Sequence, residues 1–393
     1  MYLKREISRK FEKVNRSYPI VAIVGPRQAG KTTFLREYAK TADASYLLFD
    51  DPDVRAMFDE DVKKFESQYL EGHSVGILDE VQYGRDPGRK LKYLADKGRK
   101  LWITSSSEML LGKEVLSYLV GRVSVLHLFP FSLAEAFSLK GQREVTPDII
   151  RRVVAEHIQF GGYPKAMLEQ DHELKKTMLR DLYTTMVLKD IAQTFSLGDI
   201  NALERCSVYL SHNAGSLISY ESMASSLHLS FHTLKKYLDA MEKSCLISLI
   251  SPFFENKAKE IAKQPKVYFW DTGLRNAIAN AFPESPDGRL FENYVCAELL
   301  KMGCRVRHWR TKAKAEVDFV VEKDNGVIPI EAKVSMPSLK VERSLHAFIK
   351  RYNPPFALVV SYDGLQGRKK AGSCVVHFTD VLGMRGLVGG KIE

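Results

Sequence analysis

A multidomain α/β protein is what this sequence predicts, and three patterns predict it. Between about residues 18 and 130, short apolar runs alternate with helix-like segments, at Ile20 to Val24, Tyr46 to Phe49, Val75 to Leu78, Leu101 to Thr104 and Val123 to Leu128. That is the rhythm of a parallel sheet wrapped by helices. From about 200 to 270, apolar positions mark two helices parted by a short polar turn, and from about 286 a helix precedes three short strands, another helix and another strand. The 393 residues, 45% hydrophobic and 27% charged, leave room for roughly two to four domains with cores of their own.

The net charge of +10 fits a polyanionic partner without requiring one. Five cysteines, odd in number and scattered without a C-x-x-C pair, argue against a zinc knuckle, a redox motif or a disulfide framework, so a reducing cytoplasm is expected. Met1 to Tyr18 is basic and polar with no apolar stretch, and the apolar runs are too short to span a bilayer. Neither targeting nor membrane insertion is expected.

The first strand leads into Gly25, Pro26, Arg27, Gln28, Ala29, Gly30, Lys31, Thr32 and Thr33, a complete G-x-x-x-x-G-K-[ST] loop between a strand and a helix. Such a loop turns backbone N–H groups onto phosphate oxygens at a helix N-terminus; Lys31 can reach the β- and γ-phosphates, and the Thr32 hydroxyl can ligate Mg²⁺. Val75 to Leu78 ends in Asp79 and Glu80. Asp79 would hold the Mg²⁺ shell and Glu80 would polarise the attacking water, although two acids at a strand end can also be merely solvated. Tyr46 to Phe49 lies between the two motifs in sequence, and an intervening strand is expected of the additional-strand ATPases. Ser105 or Ser106, ending the Leu101 strand, falls where a polar sensor of the γ-phosphate would sit. Arg122, just before the last strand, is either a candidate arginine finger or a surface arginine; acting on a neighbour's site, it would require a homo-oligomer.

The segment from about 131 to 200 has helical spacing, as in Thr177 to Ile191, and reads as a lid or connector. Leu217 to Leu238 carries helix-turn-helix spacing. Its second helix would present His232, Thr233, Lys235, Lys236 and Tyr237, and the strand-like Cys245 to Ile250 with Lys257, Lys259, Lys263 and Lys266 resembles a wing. The same lysines also suit the solvated face of a winged helix packed as a lid. In the last module Glu292 lies near the start of a helix, Asp318 on a strand, and Glu331 and Lys333 two apart on the next strand, hence on one face. Asp318 and Glu331 would bind Mg²⁺ or Mn²⁺, Glu292 would complete the shell through water, and Lys333 would orient the attacking water of a phosphodiesterase. Arg305, Arg307, His308, Arg310, Lys312 and Lys314 would track phosphates, and Trp309 is read as core rather than as a base-stacking platform.

Taken in order, Gly25 to Thr33, Leu78 to Gln82, Gly121 and Arg122, Gly161 to Pro164, Leu188 to Asp190, Tyr268 to Leu274, Phe291 to Asn293, Glu316 to Asp318 and Ile330 to Lys333 resemble the archaeal and bacterial AAA-type ATPases fused to a C-terminal domain similar to PD-(D/E)xK nucleases. The resemblance runs nearly the whole chain. One departure is Ser105 to Ser107, where that family commonly has glycine before paired serines. The resemblance implies an ATP-dependent, DNA-associated protein. The expected organisation is a P-loop ATPase core over 1–130, a helical lid over 131–200, a winged helix-turn-helix over 201–275 and a PD-(D/E)xK-like α/β domain over 276–393. The expected activity is ATP hydrolysis coupled to DNA binding and metal-dependent cleavage, with ATP and Mg²⁺, or Mn²⁺ at the nuclease-like site, as cofactors. A nucleotide-controlled DNA-binding switch with an inactive nuclease fold, and a switch that grips a protein instead, are the alternatives.

Overall fold

The computed structural model describes residues 2–106, 112, 115–140, 146–253, 264–323 and 326–389. The chain divides into two compact units, Met1–Pro130 and Phe131–Glu393.

The first unit is a five-stranded sheet of β1 (Ile20–Val24), β2 (Ala44–Leu48), β3 (Val75–Asp79), β4 (Leu101–Ser105) and β5 (Val123–His127), in the order β2-β3-β4-β1-β5. Every pairing is parallel. A strand buried on both faces can be apolar throughout, which is why β1 reads Ile-Val-Ala-Ile-Val without alternation. Its side chains divide between two cores: Ile20, Ala22 and Val24 pack with Leu101 and Ile103, while Val21 and Ile23 pack with Phe11, Phe34 and Trp102. The strand between the two phosphate-site strands is β4. Tyr46–Phe49 was expected in that place because it intervenes along the chain; in space β2 is the sheet edge, and its residues are mostly only half-buried.

The second unit begins with helices at Leu133–Leu139, Pro147–Phe160, Pro164–Leu168 and His172–Thr185. A capping box, in which Ser132 and Glu135 satisfy each other's backbone N–H, starts the first of these. One hydrophobic core then runs from Phe160 through Leu182, Leu203 and Leu234 to Ile278, crossing residue 200, so the connector and the helix-turn-helix share their packing. The helix-turn-helix consists of Ile200–His212, Tyr220–Leu227 and Phe231–Lys243, followed by the antiparallel pair β6 (Ile247–Ile250) and β7 (Lys266–Phe269). His228, at φ 54°, makes the turn between the last two helices, and Ser230 caps the second by accepting from Thr233 N.

The helix Gly288–Lys301 precedes β8 (Arg305–Arg310), β9 (Glu316–Lys323), β10 (Gly326–Lys333), the helix Arg343–Tyr352, β11 (Phe356–Ser361), β12 (Gly367–Ala371) and β13 (Cys374–Thr379). These six strands form one sheet, β12-β13-β11-β10-β9-β8. It is antiparallel from β8 to β10 and parallel from β10 through β11 to β13. The parallel step from β10 to β11 is where the helix Arg343–Tyr352 crosses over. Among the described residues no helix is long and apolar enough to cross a membrane.

Candidate functional site

The loop after β1 is shaped by what cannot fit there. A Cβ on Gly25 would stand 2.0 Å from the main-chain oxygen of Leu128, and Gly30, at φ 98°, is the left-handed residue from which the helix Lys31–Ala39 starts. Arg5, buried, braces the loop from beneath: Nη1 donates to Ala29 O at 2.9 Å and Nη2 to Phe129 O at 2.6 Å. Sequence reading missed this residue, since nothing local ties an N-terminal arginine to a loop 24 positions away. Pro26 and Ala29 are buried, whereas Arg27, Gln28 and Thr33 are exposed. Arg27 donates to Tyr83 OH at 2.9 Å. Lys31 Nζ lies inside the loop, donating to Gly25 O at 2.9 Å and Pro26 O at 3.2 Å.

Asp79, at the end of β3, is buried and gathers three hydroxyls. Thr32 Oγ1 donates to its Oδ2 at 2.8 Å, Tyr46 donates to the same oxygen, and Thr104 donates to Oδ1. Burial and this contact raise the Tyr46 phenol above its ordinary range, so it stays a donor. Glu80 follows at φ 56°, a left-handed conformation uncommon outside glycine, and its backbone N–H donates to Thr104 Oγ1 at 2.8 Å. Its Oε1 lies 3.8 Å from Lys31 Nζ, while Oε2 accepts from Gln82 Nε2 and from Ser106 N, the latter at 3.1 Å.

The structure thus brings Lys31, Thr32, Asp79, Glu80 and Ser106 into one cluster and adds Tyr46, Gln82 and Thr104. Thr104 and Ser106 both turn to the phosphate side, so the pleat carries the buried Ser105 to the other face of β4. Arg122 is elsewhere. Its carbonyl accepts from Ile20 N, at the start of β1, and its guanidinium pairs with Asp96 at 2.6 Å. A five-residue strand, roughly 16 Å, separates that end of the sheet from the loop, so Arg122 does not serve this chain's own phosphate site.

In the second unit the carboxylates of Glu292, Asp318 and Glu331 interact, but not as an open shell. Asp318 Oδ2 accepts from Ala332 N at 2.9 Å. Glu331 is buried with Oε2 3.6 Å from Lys333 Nζ, and burial, reinforced by Asp318 and Glu342 against the pull of Lys333, pushes its carboxyl up to about 7. Burial also raises Asp318, and burial together with Asp318 raises Glu292. The cation in their midst is Lys266. Expected among the wing lysines, it is instead buried on β7, with Nζ 2.9 Å from Glu292 Oε1 and 2.6 Å from Glu316 Oε1. Tyr268 OH also donates to Glu292 Oε1 at 2.5 Å. Glu292 is therefore engaged by an ammonium and a phenol, and among the described residues no three His, Cys, Asp or Glu side chains stand close enough to hold a metal. Of the expected set of Asp318, Glu331 and Glu292, Glu292 is thus held by Lys266 and Tyr268.

On the helix Phe231–Lys243, His232, Lys235 and Lys236 are exposed and Thr233 is half-buried, bonded to its capping Ser230. Tyr237 is buried, its hydroxyl donating to Asp199 O, so it is no surface contact. Lys235 lies over the ring of Phe231, and Lys236 donates to Ser196 O at 3.0 Å. Lys257, Lys259 and Lys263 lie outside the described residues. On β8, Arg305 and Arg307 pair with Glu322, and Arg310 lies 3.8 Å from Glu316; Lys312 and Lys314 are exposed. His308 is buried and cannot track a phosphate. Trp309 packs on Phe348 and Tyr352 in the core.

Residues 17–137 match a family described as an AAA domain, and residues 151–285 and 287–381 match two families described as domains of unknown function, DUF8612 and DUF4143. An uncharacterized protein of Haemophilus influenzae is 24% identical over 336 residues, covering 81% of this chain and 83% of its own. An uncharacterized protein of Mycobacterium tuberculosis is 28% identical over 351 residues, 86% of this chain and 75% of that one. Among solved structures, a Walker-type ATPase of Pyrococcus abyssi aligns over 70% of this chain and 96% of its own at 13% identity, with a TM-score of 0.47. The ORC2 protein of Aeropyrum pernix in its ADP form aligns over 77% and 95%, also at 13%, with a TM-score of 0.34. The first unit is an AAA-type ATPase domain, and ATP is the ligand that domain implies.

Proposed function

We propose that the chain binds Mg²⁺·ATP on the loop Gly25–Thr33, hydrolyses it, and uses the nucleotide state to control DNA held by the second unit. The observation that carries the ATPase part is the convergence on one cluster of Lys31 and Thr32, at the start of the helix after β1, with Asp79 and Glu80, at the end of β3. Gly25 and Gly30 let main-chain N–H groups approach phosphate oxygens. Lys31 would reach the β- and γ-phosphates, Thr32 and Asp79 would hold Mg²⁺, whose charge would offset that developing on the phosphate, and Glu80 Oε1 would take up the proton of the attacking water.

The DNA part rests on the net charge, the exposed His232, Lys235 and Lys236 of the second helix of a helix-turn-helix, and Arg307, Arg310 and Lys312 beside the acidic cluster. Asp318, Glu331 and Lys333 share the end of two adjacent strands, which supports metal-dependent phosphodiester cleavage there. The place of Lys266 favours a second reading, a DNA-binding switch whose nuclease fold no longer cuts. An ammonium already pairs with Glu292, one of the carboxylates a metal would need. The test is ATP hydrolysis by wild type, Lys31→Ala and Glu80→Gln, followed by incubation with linear, nicked and four-way-junction DNA in Mg²⁺ or Mn²⁺, with and without ATP. Cleavage abolished by Asp318→Ala and Lys333→Ala establishes the nuclease. Binding without cleavage in either metal establishes the switch, and salt-insensitive absence of DNA binding removes both.

A further inference from the structure

Among the residues of the phosphate site that neither motif contains is Gln82. It sits in the single turn Val81–Tyr83 that follows Glu80, and it is 9% exposed, an unusual place for a carboxamide. Its two ends have different circumstances. Nε2 donates to Glu80 Oε2 and stands 3.4 Å from Ser106 Oγ, whereas Oε1 is buried and finds no partner among the described residues. The assignment of the two ends follows from Glu80, because a carboxylate only accepts. The carboxamide keeps its nitrogen on an ionised carboxylate, a charge-assisted contact that a packing role would not need.

The consequence lies in the geometry of Glu80. With Oε2 taken by Gln82 and by the backbone N–H of Ser106, only Oε1 is turned toward Lys31, which marks the phosphate side. The left-handed backbone of Glu80 places the side chain over the end of β4, and Gln82 fixes its last torsion. Glutamate has three side-chain torsions, so an unheld carboxylate at this position would spend most of its time away from the attacking water.

We propose that Gln82 is a positioning residue for hydrolysis: its carboxamide clamps one oxygen of Glu80 so that the other is presented to the attacking water. This rests on the ATPase reading, and within it assigns a role to a residue outside the two phosphate-site motifs. Gln82 reaches the site through Glu80, so it acts on turnover and not on binding.

The experiment compares wild type with Gln82→Met, Gln82→Glu and Glu80→Gln, measuring ATP affinity with a fluorescent analogue, kcat under saturating Mg²⁺·ATP, and the melting temperature. Methionine keeps the length and volume of glutamine and removes the donor; glutamate keeps the shape and sets a second negative charge against Glu80. The proposal expects affinity within about threefold of wild type for every variant, with kcat reduced on the order of tenfold to a hundredfold in Gln82→Met and at least as far in Gln82→Glu. Wild-type turnover in Gln82→Met would show that volume alone matters there and would overturn the proposal. Loss of affinity in step with turnover in either variant would make Gln82 a wall of the binding pocket and overturn it equally. Glu80→Gln separates this from the underlying reading: undiminished hydrolysis in that variant removes Glu80 as the base, whereas a dead Glu80→Gln beside a fully active Gln82→Met refutes the clamp alone.

Discussion

Thr32 Oγ1 donates to Asp79 Oδ2 at 2.8 Å, so the hydroxyl and the carboxylate that would hold magnesium are bonded to each other. A hydroxyl that donates to the carboxylate keeps its lone pairs free, so Thr32 and Asp79 would both be available to hold magnesium. Asp79 also accepts from Tyr46 and Thr104, which makes it a structural hub as well as a metal-facing group. Asp79→Asn retains an acceptor for these hydroxyls but loses the charge. We expect it to stay folded, with a stability change of about 1 kcal/mol, while hydrolysis falls roughly a hundredfold. Steady-state hydrolysis across a magnesium titration, beside a melting curve, checks this; an unchanged magnesium dependence contradicts it.

Lys266 ties β7 to the acidic cluster of the C-terminal sheet through Glu292 and Glu316, and burial magnifies the cost of removing one partner. Lys266→Met fills the space and leaves the carboxylates uncompensated. The expected loss of stability is about 3 kcal/mol at pH 8, smaller at pH 5, where carboxyls with raised pKa values take up protons instead. Mn²⁺ should raise the melting temperature of the variant more than that of wild type if a divalent ion can take the place of the ammonium. Equal shifts in both proteins would show that the cluster takes no metal.

Part of this was legible in the residues and part was not. Gly25 to Lys31 could be read directly, because a phosphate loop is built from consecutive residues whose spacing is its geometry, and Asp79 and Glu80 follow from an apolar run ending in acids. Tyr46, Thr104 and Arg5 reach the same site through strand order and a long return of the chain, which no local pattern encodes. Lys266 reads as a wing residue because lysine ordinarily seeks water; its partners, 26 positions on at Glu292 and further still at Glu316, reverse that preference. Arg122 fails as a finger for its own site for a simpler reason: a residue just before a strand of a parallel sheet lies at the end opposite the loop that follows β1.

If the helix Phe231–Lys243 meets DNA, Lys235 and Lys236 supply charge that reads no bases. Lys236 spends one donor on Ser196 O and Lys235 covers Phe231, so both are oriented, not free-floating. Replacing both with Ala should weaken binding to unrelated DNA sequences alike, and lower the slope of log affinity against log salt by about 0.9 for each phosphate that is no longer neutralised. A fluorescence anisotropy series from low to moderate salt measures that slope. An unchanged slope would place the DNA elsewhere on the protein.

His157 offers a test of acid stability in the second unit. The ring is buried; Nδ1 is 2.8 Å from Tyr294 OH and Nε2 3.0 Å from Phe131 O. A carbonyl can only accept, so Nε2–H donates to it and Nδ1 accepts from the phenol, which satisfies the neutral ring completely. Burial, helped by the nearby Lys301 and Arg385 against Glu298, lowers its pKa to about 4. The unfolded chain takes up the proton near pH 6.5, the folded chain only near pH 4, so the fold loses stability as pH falls through that window, by about 3 kcal/mol at its lower end. Glu331, raised to about 7, works the other way between pH 7 and its unfolded value, which is why the comparison must be with a variant and not with a single curve. His157→Gln keeps one donor and one acceptor and never titrates. In a Trp102→Phe background, where Trp270 and Trp309 report on the second unit, denaturant unfolding of the two proteins should run parallel above pH 6.5 and diverge below it, with the histidine protein losing more. Curves parallel down to pH 4 would mean that His157 is charged in the folded protein, with Tyr294 turned to accept from it.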